Sequence, residues 1–130
     1  MEYTEKKPTQ WKDLHFEHDN WNRELRFWQD EINSFEKRLE EIASEWRDRH
    51  VLAQLEHFQN QYIRHKEVID TLLHDINVHE DRLDRLKGHY NVAEDHGFKD
   101  HKFMRGRMFT QRKLYNELKN EFFRYLEELF

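Results

Sequence analysis

The chain has no cysteine, a single proline and three glycines in 130 residues. Without cysteine there is no disulfide framework and no thiolate metal site, which fits a reducing, cytoplasmic setting. So little glycine and proline leaves few places to interrupt a helix. Hydrophobic residues make up only 36% of the chain against 38% charged, too little apolar material for a broad core. A thin, elongated core fits better, with each element contributing one stripe. No apolar run approaches the ~20 residues of a membrane span, and the first eight residues lack the apolar stretch of a signal peptide. The net charge is −5 with both signs interspersed, so the basic stripe of a nucleic-acid binder is missing. Composition of this kind can mean disorder. An aromatic content of 15% and unbroken periodicity argue against that.

Three stripes of helical spacing are present. The first runs from Trp11 through Leu14, His18, Trp21, Leu25, Trp28, Ile32, Phe35, Leu39 and Ile42 to Trp46. The second runs from Val51 through Leu55, Phe58, Tyr62, His65, Ile69, Leu72, Ile76, His79 and Leu83 to Leu86. The third runs from His101 through Met104, Met108, Gln111, Tyr115, Leu118, Phe122 and Tyr125 to Leu129. Steps alternating between three and four residues are a heptad seam. They predict an all-α fold: an elongated, antiparallel (up-down-up) three-helix bundle with heptad, coiled-coil-like packing. Residues 1–8 read as a disordered tail, and residues 9–130 as a single bundle with helices over about 9–47, 51–87 and 98–130. Thr9 is the expected N-cap, Asp48-Arg49-His50 the tight turn, and Gly88 the C-cap. The alternative is an open protomer that completes its core only as a dimer.

Charges on the flanks set the register. Glu17, Glu24 and Glu31 in the first helix match Arg105, Arg112 and Lys119 in the third at a constant offset, as parallel neighbours require. Between the second and third helices Arg82 meets Asp100, Asp75 meets Arg107 and Val68 meets Leu114. Between the first and second, His15 meets Glu80 and Ala43 meets Leu52. Each exposed pair is weak, but together they select one alignment.

Ten histidines are the compositional outlier. In this register His18, His79 and His101 share one core layer. Three inward imidazoles with a fourth position open to water match the ligand set of a catalytic-type zinc site; zinc or another divalent transition metal is the expected cofactor. Glu17, Asp75, Glu80 and Asp100 flank the layer and are expected to accept the outer ring N–H groups. Gly97, one layer out, would leave a channel. The competing reading is a set of polar core residues that hydrogen-bond to one another and fix the register. Met104 and Met108 near His101 would suit copper(I), although methionine more often fills core gaps. His65 and Tyr115 are expected to form a buried hydrogen-bonded pair, and Gln111 reads as a similar polar core residue.

Known metal-bundle motifs are absent: there is no Glu-x-x-His, His-x-x-x-His or His-Glu-x-x-His, and no phosphate loop, nucleophile arrangement or calcium loop. The expectation is therefore metal binding without turnover rather than an enzyme. The runner-up is a structural or adaptor bundle. Phe109, Phe123, Leu126 and Phe130 lie off the third seam, and such a patch would take a protein partner or a second copy. Phe16 and Phe27 are similar on the first helix.

Overall fold

The computed structural model describes residues 11–86 and 98–130, with the side chains of Trp11, Leu86 and Phe98 outside the description. Three helices account for nearly all of these residues: α1 (Trp11–Glu45), α2 (Arg49–Leu86) and α3 (Phe98–Leu129). Among the described residues there is no strand. The expected tail, the Thr9 and Gly88 caps, and Gly97 lie outside the described residues.

The helices form because the stripes repeat at helical spacing and the residues between them are strong helix formers such as Glu, Lys, Arg and Gln. At ~1.5 Å per residue each helix is about 50 Å long. The connection between α1 and α2 lies at residues 46–48, two residues earlier than the turn the sequence suggests. Its cause is Asp48. The Asp48 carboxylate accepts the backbone N–H groups of His50 at 2.8 Å and Val51 at 3.3 Å, and its carbonyl accepts that of Leu52 at 3.0 Å. Asp48 is thus the N-cap, and Arg49 and His50 belong to the first turn of α2 rather than to the turn before it.

Side-chain contacts fix the directions. From α1 to α2, Glu80 meets His15 and His18, Asp70 meets Gln29, and Lys66 meets Glu36. Numbers rise along one helix as they fall along the other, so these contacts run antiparallel. From α2 to α3, Arg82 meets Asp100 at 2.9 Å, Asp75 meets Arg107 at 2.7 Å, and Phe58 packs on Phe122. From α1 to α3, Arg105 grips Glu17, Arg112 grips Glu24 through two bonds of 2.7 Å, and Lys119 reaches Glu31 at 2.6 Å. These last contacts all span 88 residues, the constant offset that the flanking charges carry in the sequence.

The core follows the stripes. Leu25, Ile32, Tyr62, Ile69, Ile76, Met108, Tyr115 and Phe122 are fully enclosed. Leu73, off the second stripe, is also buried, because a helix facing two neighbours buries a broader arc than a narrow seam. Trp46, Tyr125 and Leu129, toward the α1–α2 turn, are only half-buried. Val68 and Leu114 line one groove of about 580 Å³ between α2 and α3, and Ala43 and Leu52 line another between α1 and α2.

Candidate metal centre

His18 is carried by α1, His79 by α2 and His101 by the first turn of α3, and all three are buried, at 0%, 5% and 0% exposure. Their rings meet: the centroids are 4.9 Å apart for His18–His79, 4.9 Å for His18–His101 and 5.7 Å for His79–His101. One ligand nitrogen from each lies within 4.8 Å of the others. Three zinc–nitrogen bonds of ~2.0–2.1 Å in a tetrahedron set such nitrogens about 3.4 Å apart, so a modest contraction closes the triangle. Trp21 stacks on His101 at 4.9 Å and forms the inner wall.

Hydrogen bonds decide which nitrogens carry protons. Glu80 Oε1 lies 2.5 Å from His18 Nδ1, and Glu17 Oε1 lies 2.6 Å from His101 Nε2. The Glu17 carboxyl is held below its ordinary value: burial opposes ionisation, but hydrogen bonds from Arg105 and His101 outweigh it. Glu80 is held low in the same way, burial being outweighed by hydrogen bonds from His18 and His15. An ionised carboxylate only accepts, so His18 carries its proton on Nδ1 and His101 on Nε2. The two remaining nitrogens, His18 Nε2 and His101 Nδ1, face each other 3.1 Å apart. In two neutral rings both present lone pairs. Either an extra proton or a metal cation resolves that contact. Beside them His79 Nε2 is buried with no hydrogen-bond partner, a costly state for a polar atom. Burial, reinforced by the neighbouring His18 and His101, pushes the His79 pKa down to about 4. Burial also lowers His101, against the opposing pull of Glu17. Neutral imidazoles are the form that binds metal.

Of the four flanking carboxylates expected on the rings, two are there and two are not. Asp75 is taken by Arg107 and Asp100 by Arg82. A guanidinium offers a full charge and a matched donor geometry, so it outcompetes a neutral ring N–H. Asp75 and Asp100 instead line a cavity of about 190 Å³ behind His79, together with Val78, Arg82, Phe103 and Met104. Met104 and Met108 are buried, and the Met104 sulfur contacts the Arg107 guanidinium at 3.6 Å.

His65 and Tyr115 touch ring to edge at 5.9 Å, but they are not hydrogen-bonded to each other as the sequence suggests. The Tyr115 hydroxyl donates to Glu31 at 2.9 Å, and the Gln111 amide donates to His65 Nδ1 at 2.8 Å. A carboxylate is the better acceptor, and Glu31 reaches the hydroxyl from α1. The expected patch on α3 is divided. Phe109 and Phe130 are 65% and 68% exposed, Phe123 is 42% exposed while touching Phe35 and Phe122, and Leu126 rests on the core. Phe16 and Phe27 are exposed.

A second cluster escapes reasoning that stops at the core layer. Ligand atoms of His15, His18 and Glu80 also lie within 4.8 Å of one another. His15 Nδ1 is 3.0 Å from Glu80 Oε1, and His15 Nε2 is 3.2 Å from Asp84 Oδ1. The spacings His15-x-x-His18 and Glu80-x-x-x-Asp84 are the sequence signal: each pair lies on one helix face.

No family model, no curated protein and no solved structure matches this chain.

Proposed function

We propose that this protein binds one divalent transition metal, zinc by preference, through His18 Nε2, His101 Nδ1 and His79 Nε2, without turnover. The observation that carries the reading is the convergence of ring nitrogens that have no other use. Glu80 and Glu17 each hold the outer nitrogen of one ring, the carboxylate–histidine–metal arrangement of protein zinc sites, and this leaves the inner lone pairs directed at one another. His79 contributes a buried nitrogen with nothing else to bond. A polar set that served only to fix the register would pair its own donors and acceptors. An all-nitrogen set of three with a fourth position for water suits zinc, which has no electronic preference against the tetrahedron.

The test is elemental analysis of protein purified without a nickel column, followed by thermal melts with added zinc. Zinc at one equivalent per chain and a raised melting temperature are expected. Protein that carries no metal and melts at the same temperature with and without zinc would refute the reading.

A second reading is favoured by the exposure of Phe109 and Phe130: a structural or adaptor bundle that docks a protein partner or a second copy through α3. Phe109→Glu would then abolish self-association, seen by sedimentation, and leave metal content unchanged. A wild-type chain that sediments as a monomer at all concentrations would remove self-association from this reading.

A further inference from the structure

The three inner rings are buried, whereas the second cluster reaches the surface: Asp84 is 53% exposed at its side chain, Glu80 31% and His15 29%. The two clusters share one ring. His18 turns Nδ1 toward Glu80 and His15, and Nε2 toward His101. From this shared ring we infer that His15, Glu80 and His18 Nδ1 form an outer seat for the same divalent cation, from which it passes to the inner seat at His18 Nε2. This rests on the inner-seat reading above.

Each seat leaves both nitrogens of His18 with a partner, and the two exclude each other. With the cation on the outer seat, His18 binds it through Nδ1 and carries its proton on Nε2. That proton donates to His101 Nδ1, already 3.1 Å away, and so satisfies the facing lone pairs without a charge in the core. His15 then binds through Nδ1 and donates from Nε2 to Asp84, which fixes its ring. With the cation on the inner seat, the His18 proton moves to Nδ1 and donates to Glu80, and His101 Nδ1 is released to the metal. At His18 the step needs no net proton: the His18 proton and the cation exchange sides of one imidazole. Glu80 serves both states, as a ligand in the first and as an acceptor in the second. Asp84 is a positioning residue for His15.

Stopped-flow mixing of the full-length apo protein with Co²⁺, followed by the visible absorption of the tetrahedral ion, separates this inference from the reading beneath it. Wild type is expected to bind one Co²⁺ per chain. His15→Ala and Asp84→Asn should each slow uptake by about tenfold or more, as loss of an attracting, pre-positioned site does, and reach the same spectrum at the end. Asp81→Asn, which removes an exposed charge on the same helix outside the cluster, should leave the rate near wild type. Equal rates in wild type, His15→Ala and Asp84→Asn would overturn the inference, as would an equal slowing by Asp81→Asn. Two Co²⁺ per wild-type chain would also overturn it, because the seats would not be exclusive. Failure of wild type to bind Co²⁺ at all would overturn the inner-seat reading itself.

Discussion

The two ends of this bundle use the same seam for opposite purposes. Toward the α1–α2 turn, Phe35, Phe58, Tyr62 and Phe122 fill the layers, with ring centroids 5.4 to 5.6 Å apart. At the other end, the same kind of seam position holds His18, His79 and His101. Aromatic rings bury large apolar areas and gain from offset contacts, so the first end stabilises the fold. Imidazoles in the same positions bury polar nitrogens and cost stability unless every nitrogen is satisfied. Both ends contain unsatisfied buried atoms, the Tyr62 and Tyr125 hydroxyls at one and His79 Nε2 at the other. Their surroundings differ: Tyr62 is surrounded by rings, while His79 lies beside two further nitrogens that converge on it. An isolated orphan is a small defect, and three converging nitrogens are a ligand set.

The contrast makes graded predictions. The largest effect belongs to the aromatic end. Phe122→Ala should cost about 3–5 kcal/mol in chemical denaturation, with metal stoichiometry unchanged in the protein that remains folded. A loss no larger than that of an exposed substitution would mean that this end does not carry the stability.

Next comes pH. His79, His101 and His65 all have folded values depressed by burial, to about 4 for His79. Above the unfolded value near ~6.5, folded and unfolded chains are both neutral at these rings, and stability is full. Below it the unfolded chain binds protons that the folded chain does not, so stability falls as pH drops toward the folded values. Glu17 and Glu80, also depressed, add to the loss at lower pH still. Thermal melts at about pH 8 and about pH 5 should show the drop, and bound zinc should steepen it because protons compete for the same nitrogens. A melting temperature that is flat or rises toward pH 5 would show that the rings are not buried neutral.

Glu17→Gln sharpens the comparison at the histidine end alone. Replacing the carboxylate on His101 should weaken zinc by about 10–100-fold in a competition titration. Full affinity in Glu17→Gln would mean that the hydrogen bond does not orient the ring. The smallest effect expected is the most diagnostic of the trade between the two ends. His79→Leu removes a buried unsatisfied nitrogen and should stabilise the metal-free protein by about 1 kcal/mol, while abolishing zinc binding. If it destabilises the metal-free chain, His79 has a partner in solution and the orphan is not real.

Most of the layout is legible in the sequence because it depends on spacing. The stripes place His18, His79 and His101 on inward faces, and the matched charges Glu17–Arg105, Glu24–Arg112 and Glu31–Lys119 bring them level. Their failures share one physical origin. Asp75 and Asp100 lie on the expected flanks yet turn to Arg107 and Arg82, and Tyr115 turns to Glu31 rather than His65. Spacing fixes which residues are neighbours, but rotamers and the relative strength of acceptors fix which of them bond. The pairing of His15 with Glu80 is legible in the same way. That both rings meet one oxygen of Glu80 is not, because it follows from side-chain torsions alone.

The central claim concerns individual nitrogens, and long-range ¹H–¹⁵N correlation spectra of the histidine rings report on them directly. With one equivalent of zinc, the spectra should show His18 protonated at Nδ1 and His101 at Nε2, with metal-shifted resonances at His18 Nε2, His101 Nδ1 and His79 Nε2. Ring nitrogens of these three histidines that do not move on addition of zinc, or zinc-induced shifts confined to other histidines, would contradict the account.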